Sequence, residues 1–295
     1  MERFFAKILP KHKAAGLIEL GRPWNGIGSS LIMLAGAFLA APAFPSTWTL
    51  LGITAVALFT YMAGGTLNDI FDVEIDKLNM PYRVSKQKGI SRKEAFIFAI
   101  ILFSLSSLIS ILLSVKFWII ILVYTVFTIA YSWPPISFVK RGYLAQLELA
   151  FTAVLLSGYA GAVLVLNTYQ VPLLTLFAFG SLTLLFSFIF IIKDFKDVKG
   201  DKVGGKRTLA LRIGVKNAKA VSVLGTLIFL PLTALLFNTF FNSPFFLVLS
   251  TLMFLALLYS EYMADKKPEE MFTLVRLTLL VFYLLTLYLS ISRFV

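Results

Sequence analysis

The sequence contains no cysteine and one histidine in 295 residues. The absence of cysteine excludes disulfide bonds, thiolate metal sites and a cysteine nucleophile. His12 lies in a basic N-terminal segment and has no second histidine with which to bind a metal, so we interpret it as a surface residue. Carboxylates are also few, with 15 Asp and Glu against 27 Lys and Arg. Where these few carboxylates cluster is therefore informative.

Apolar side chains are abundant: 59% of the residues are hydrophobic and the mean hydropathy is +0.87. Segment 1–19 is charged and amphipathic and lacks a signal peptide's apolar core, so we expect the first spanning helix to direct insertion. Apolar runs of membrane-spanning length recur along the whole chain, which predicts an all-α, polytopic membrane protein with a single domain over 1–295. The nine predicted spans are 24–44, 48–70, 94–114, 117–133, 144–166, 171–193, 220–237, 244–263 and 269–292.

The net charge of +12 is distributed unevenly along the chain. Of the 27 Lys and Arg residues, 24 lie in the N-terminal segment, in the loops after spans two, four, six and eight, or at the last residue of span six. This bias predicts that the N-terminus and those loops are cytoplasmic. Anionic membrane lipids and phosphorylated substrates are the partners that such loops favour. No basic stripe with interleaved aromatic residues is present, so we expect no nucleic-acid binding.

Two acidic motifs stand out because they follow spans two and six with identical spacing. Asp69, Asp72 and Asp76 are spaced i, i+3, i+7, and Asp194, Asp197 and Asp201 repeat that spacing. On a helix these positions lie along one face, where like charges repel and require a cation. The pattern predicts a shared divalent-metal site for a phosphorylated substrate. The recurrence after four spans also favours a parallel internal repeat with halves 22–140 and 144–265.

The donor types suit magnesium, which prefers oxygen ligands and completes its shell with substrate phosphate and water. Asn68 lies one turn before Asp72 and offers a neutral carbonyl oxygen. Asp69 lies at the edge of the acidic face, so it either orients a ligand or binds a basic residue. Glu148, within span five, is an intramembrane carboxylate and therefore a functional candidate, or else a buried hydrogen-bonded group.

The two motifs resemble those of the UbiA family of intramembrane prenyltransferases. The similarity extends over the nine-span layout and includes three further segments: Arg22-Pro23, Tyr131-Ser132-x-Pro134-Pro135 with Lys140 and Arg141, and Lys206-Arg207-Thr208-Leu209-Ala210. The resemblance implies nine helices around a central cavity capped by cytoplasmic loops. It also implies binding of an isoprenyl diphosphate through Mg²⁺, with two ions bridging to the diphosphate, and transfer of the prenyl group to a lipophilic or aromatic acceptor.

Carried over position by position, the resemblance implies metal-associated roles for Asn68, Asp72, Asp194, Asp197 and Asp201. Asp76 and Asp69 are implied helpers.

Breaking the allylic C–O bond leaves diphosphate, whose charge nearby cations stabilise. The candidate cations are Arg22, Lys77, Arg83, Lys86, Lys140, Arg141 and Lys206. We favour Arg22, Arg83, Lys140 and Arg141, which lie nearest the matched motifs. Aromatic faces for an allylic cation could come from Tyr61, Tyr124, Tyr131 and Trp133.

The acceptor is less strongly indicated than the donor. Many family members carry Arg-Pro-x-Arg-Pro after the first motif, whereas this chain keeps Pro81 and Arg83 alone. The stretch 131–141 resembles members that act on quinone-type rings, which favours an aromatic acceptor. The alternative is a glycerol-phosphate lipid precursor, geranylgeranylglyceryl phosphate. A cation transporter stays open as a different class, although its polar groups should lie near the bilayer midplane. The Asp-Gly and Ala-Arg pattern of a phosphoalcohol-transferring lipid enzyme is missing.

Overall fold

The computed structural model describes residues 13–79 and 90–294, whose regular structure is helical without any strand. Nine helices in these ranges are long and apolar enough to cross a membrane. They are α1 (Pro23–Ala40), α2 (Thr47–Phe71), α3 (Arg92–Leu113), α4 (Val115–Ser132), α5 (Tyr143–Leu166), α6 (Leu173–Lys196), α7 (Val215–Phe241), α8 (Pro244–Met263) and α9 (Pro268–Phe294). The predicted all-α, nine-span membrane protein is confirmed.

Shorter helices lie between the spans: Lys13–Leu20, Val73–Asn79, Val198–Val203 and Leu209–Ile213, with a 3₁₀ turn at Phe138–Lys140. The segments after α2 and α6 are thus helical again once the spanning helix has ended. The single-domain organisation, the internal repeat and the cap formed by cytoplasmic loops stay predictions. His12, Arg83 and Lys86 lie outside the described residues.

Two helix boundaries differ from the sequence prediction for local reasons. Helix α1 ends early because Ala41 precedes Pro42 and is extended, with φ −65° and ψ 132°, and a residue before proline disfavours the helical region. Helix α7 is longer than 220–237. It begins directly after Gly214, which has φ 81°, and continues through Pro231, because a proline inside a membrane helix is tolerated when neighbouring groups satisfy the freed carbonyl.

Consecutive spanning helices pack against one another, and α9 packs back on α1. The nine helices of the described chain therefore close into a ring. Helix α1 also packs along α5, and this pair separates two large cores of buried side chains. One core lies among α1, α2, α4 and α5, and the other lies among α1 and α5 to α9. Large apolar side chains such as Ile97, Ile101 and Leu108 remain exposed on the outside of α3, as lipid contact requires.

The contact between α1 and α5 depends on glycine. A Cβ atom at Gly161 would collide with the carbonyl oxygen of Met33, and one at Gly36 would collide with the carbonyl of Gly158. Small residues allow membrane helices to approach until their backbones touch, and van der Waals packing then holds them. This contact positions α5 against the centre of the bundle.

We expect Gly161→Ala to lower the free energy of unfolding by about 1–3 kcal/mol, because the added methyl group forces two backbones apart. Gly180→Ala is the matched control, since a Cβ at Gly180 meets no atom within 4 Å. The measurement is the thermal unfolding midpoint of each purified variant in detergent. Equal midpoints for the two variants would contradict the proposed packing.

Candidate functional site

The two acidic motifs have the same backbone arrangement. In each, the first aspartate lies in the last turn of a spanning helix and the third lies in the short helix that follows. The middle aspartate forms the break between the two helices. Asp72 has φ −99° and ψ 12°, and Asp197 has φ −104° and ψ 2°. The repeated spacing therefore corresponds to a repeated local structure rather than to one continuous helical face.

Most of these carboxylates are buried. The exposed fraction is 2% for Asp69, 4% for Asp72, 6% for Asp76, 6% for Asp194 and 3% for Asp201. Burying ionised carboxylates is unfavourable unless cations and hydrogen-bond donors compensate them. The arrangement of the surrounding donors is therefore the feature that defines the site.

Lys206 connects the two motifs directly. Its Nζ atom lies 3.1 Å from Oδ2 of Asp72 and 3.4 Å from Oδ1 of Asp201. Burial alone would lower the pKa of Lys206, but the two carboxylates outweigh burial and raise it, so the ammonium is charged at neutral pH. The motifs lie at one end of the bundle and are close enough to share a single cation.

Arg22 holds the first motif from the other side. It occupies a left-handed backbone conformation, with φ 53° and ψ 56°, which is uncommon for a residue other than glycine. Its Nη2 atom forms a salt bridge with Asp69 and donates to Oδ1 of Asn68 at 3.2 Å. Asn68 in turn donates through Nδ2 to Oδ2 of Asp72 at 3.2 Å. A continuous polar chain thus runs from Arg22 through Asp72 to Lys206.

The second motif is held by residues of α4, α5 and α6. Gln146 donates through Nε2 to Oδ2 of Asp194. Lys193 donates to the hydroxyl of Tyr131 at 3.2 Å, and its Nζ lies 5.9 Å from the centre of the tyrosine ring. Tyr131 is near enough to Asp194 and Lys206 to interact with both electrostatically. It therefore lies beside the bridge between the motifs.

The site brings together nine of the residues proposed from sequence: Arg22, Asn68, Asp69, Asp72, Asp76, Tyr131, Asp194, Asp197 and Asp201. Asp69 binds a basic residue, one of the two roles considered for it. Lys140 and Arg141 are exposed. The Arg141 guanidinium lies 5.8 Å from the Phe138 ring and donates to the Pro135 carbonyl at 3.5 Å. Their contribution to diphosphate binding stays a prediction, as does that of Arg83.

Two important side chains, Lys193 and Gln146, are not singled out by the sequence, and a third, Lys206, is not among the four favoured cations. Lys206 was among the candidate cations, and its position in a segment that matches the family was the available signal. Lys193 directly precedes Asp194 but was counted with the apolar span. Gln146 lies in α5 without any motif, so nothing in the sequence distinguished it.

The residues present fit a divalent cation in chemistry and charge. Carboxylate and amide oxygens are the ligands that Mg²⁺ prefers. Burial raises the pKa of Asp197 and of Asp201 in spite of the lysines beside them, so the ionised acids are incompletely compensated. In the part of the chain that the structure describes, no three acidic side chains form a closed metal cluster. Instead, Lys206 lies between Asp72 and Asp201.

A helical membrane bundle with two buried acidic motifs joined at one end defines a class of intramembrane enzyme. The profile of the UbiA prenyltransferase family matches residues 29–290, and the chain belongs to this family. The protein is accordingly a prenyltransferase, and the cation-transporter alternative is not supported.

Relatives and solved structures agree with this assignment. The digeranylgeranylglyceryl phosphate synthase of Pyrococcus furiosus is 31% identical over 211 residues, which cover 71% of this chain and 73% of that protein. A UbiA homologue from Archaeoglobus fulgidus, solved with DMAPP and Mg²⁺, superposes with a TM-score of 0.69 at 19% identity, covering 94% of this chain and 98% of that one. The apo structure of a UbiA homologue from Aeropyrum pernix K1 superposes with a TM-score of 0.72 at 19% identity. The match covers 91% of this chain and 97% of that one. These two likenesses show the shared fold.

We expect Lys206→Met to lower the free energy of unfolding by about 3 kcal/mol, because two buried carboxylates lose their shared cation. Added Mg²⁺ should recover part of that loss by neutralising the same carboxylates. Lys202→Met is the control, since Lys202 is exposed on the neighbouring short helix. The measurement is the thermal unfolding midpoint with and without Mg²⁺. A midpoint for Lys206→Met equal to that of the control would show that the bridge does not stabilise the fold.

Proposed function

We propose that the protein transfers a prenyl group from an isoprenyl diphosphate to the free hydroxyl of a glycerol-phosphate lipid that already carries one prenyl ether. Diphosphate is released. The observation that carries the proposal is the meeting of the two acidic motifs at Lys206. A substrate with a diphosphate needs positive charge from more than one direction, and this is the end of the bundle where buried cations and potential metal ligands converge.

The acceptor is inferred from the relatives. The Pyrococcus furiosus protein and other relatives at 28–32% identity are named digeranylgeranylglyceryl phosphate synthase. A product with two geranylgeranyl groups on glyceryl phosphate follows from an acceptor that carries one. The relatives therefore support the lipid acceptor over the aromatic quinone-type ring that we first favoured from the stretch 131–141.

The proposal includes Mg²⁺ held by Asn68, Asp72, Asp194, Asp197 and Asp201. When bound, Mg²⁺ supplies positive charge that stabilises the leaving diphosphate. The chain's own residues prepare this site. Arg22 and Lys206 stay protonated and hold the carboxylates in orientation, and Gln146 fixes Asp194. The Archaeoglobus fulgidus homologue bound to DMAPP and Mg²⁺ has the same fold, which supports the choice of ion. We propose two ions bridging to the diphosphate.

We propose that the prenyl chain enters the apolar interior of the bundle, where the structure contains a small cavity about the size of one water molecule. The cavity lies between α1, α6, α7 and α9, and its lining includes Leu31, Phe179, Phe282 and Tyr283. Tyr283 is close enough to Tyr61 to interact electrostatically, and Tyr61 interacts likewise with Arg22. Tyr61 therefore lies within electrostatic range of both the cavity lining and Arg22. Aromatic faces in such dry surroundings can stabilise the allylic cation that develops as the C–O bond breaks.

The orientation in the membrane follows from the charge distribution. Arg22, Lys193 and Lys206 all lie at the end of the bundle that carries the acidic motifs. Because basic residues accumulate on the cytoplasmic side, we propose that the N-terminus and the site face the cytoplasm. A soluble diphosphate could then reach the site from water while its prenyl chain enters the apolar interior.

The acceptor assignment predicts a specific product. Purified protein with Mg²⁺ and geranylgeranyl diphosphate should convert geranylgeranylglyceryl phosphate to a product heavier by one prenyl group. Hydroxybenzoate should give no prenylated ring, because the proposed site receives an alcohol. Mass spectrometry of the extracted products is the measurement, and EDTA should abolish turnover. A prenylated ring with an unchanged lipid would overturn the acceptor assignment in favour of the aromatic one.

The metal assignment predicts that Asp72→Asn and Asp201→Asn each reduce the transfer rate at least about 100-fold, because charge stabilisation of the leaving group is lost. Both replacements keep the side-chain shape. Asp265→Asn is the control. Asp265 is exposed and pairs with Lys219 at 2.7 Å, and its loss should change the rate by no more than about twofold, since surface ion pairs contribute little. Activity retained by the two site variants would refute the assignment.

A further inference from the structure

Glu148 is a buried carboxylate that the roles proposed so far do not use. It lies in α5, and only 7% of its surface is exposed. Both of its carboxylate oxygens are buried, and no group within residues 13–79 and 90–294 donates a hydrogen bond to either. A buried carboxylate without donors is unfavourable, and intramembrane acids that persist usually serve a function.

A second buried glutamate within the spanning helices, Glu261, is bonded at one of its two oxygens, while its Oε2 atom has no donor in the described residues. Glu261 of α8 is completely buried. Its Oε1 atom accepts hydrogen bonds from Ser222 at 2.6 Å and from Thr226 at 2.7 Å, both in α7. Glu261 thus links two helices, as a structural group does. Glu148 has no such link, so interhelical bonding does not explain its presence.

The neighbours of Glu148 connect it with the site. Lys193 and Tyr124 are close enough to interact with it electrostatically. Lys193 also donates to Tyr131, which lies beside the bridge between the two motifs. Two residues before Glu148, Gln146 holds Asp194. Glu148 is thus linked to the site through Lys193, while Gln146, in the same turn of α5, holds Asp194.

The backbone after Glu148 is unusual. Residues Phe151–Leu156 form a π-helical turn, a widened turn that often occurs at functional sites. The hydroxyl of Thr152 donates to the carbonyl of Glu148 at 3.1 Å, and the hydroxyl of Ser157 donates to the carbonyl of Thr152 at 3.1 Å. Ser157 also contacts Ser29, which contacts Tyr124. These buried hydroxyl groups bond to one another and to the backbone, so none of them donates to Glu148.

We infer that Glu148 accepts a hydrogen bond from the free hydroxyl of the prenyl acceptor and takes its proton during transfer. This inference rests on the proposed function. As the acceptor oxygen bonds to C1 of the prenyl group, the C1–O bond to diphosphate breaks and its electron pair leaves with the diphosphate. The hydroxyl proton passes to a carboxylate oxygen of Glu148. Asp69, Asp72 and Asp201 already pair with Arg22 or Lys206, whereas no group in the described residues donates to Glu148, which leaves it free to act as a base.

The test compares Glu148→Gln, Glu148→Asp and the matched control Glu261→Gln in the lipid-acceptor assay. We expect Glu148→Gln to lower kcat at least about 100-fold, as loss of a general base does. Mg²⁺-dependent binding of geranylgeranyl diphosphate, measured by equilibrium dialysis without acceptor, should be unchanged. Glu148→Asp should keep more activity than Glu148→Gln because it retains a base. Glu261→Gln should keep the wild-type kcat.

Each alternative result would overturn the inference. A kcat for Glu148→Gln within about threefold of wild type would exclude a role in proton transfer. Loss of diphosphate binding, or an unfolding midpoint below that of wild type, would show that Glu148 is structural. If Glu148→Asp is no more active than Glu148→Gln, the side chain at position 148 does not act as a base. If wild-type protein does not prenylate the lipid acceptor at all, the proposed function fails first, and the inference fails with it.

Discussion

The ammonium of Lys206 between Asp72 and Asp201 is the interaction on which the site depends. These carboxylates come from segments far apart in the sequence, and both are buried at one end of a membrane bundle. Without a shared cation they would repel each other and hold the ends of α2 and α6 apart. With it, the two motifs meet at the same end of the bundle.

The rest of the bundle serves to bring that end together. The glycine contact between α1 and α5 draws α5 to the centre of the helices, and α5 then contributes Gln146 to the second motif and Glu148 to the interior. Helix α1 begins directly after Arg22, whose guanidinium reaches the first motif. Packing deep in the membrane and charge pairing at its surface are therefore parts of one arrangement.

The division between polar and apolar surroundings suits the chemistry of prenyl transfer. A prenyl diphosphate has a charged end that needs cations and a hydrocarbon chain that avoids water. The polar chain from Arg22 to Lys206 supplies buried positive charge, and the apolar side chains around Tyr283 supply dry surroundings. The bond that breaks joins these two parts, so the reaction belongs at the boundary between them.

The sequence by itself determined the nine spans, the two acidic motifs and the family, because hydropathy, charge and spacing are properties of the chain alone. It also singled out Arg22, Asn68 and Asp72. Tertiary structure decided which cation joins the motifs, that Lys140 and Arg141 are exposed, and that Gln146 holds Asp194. It also decided that Glu261 has two donors, whereas Glu148 has none among the residues that the structure describes. The physical reason is that a buried charge takes its partner from whichever helices pack beside it, and spacing along the chain does not encode those neighbours.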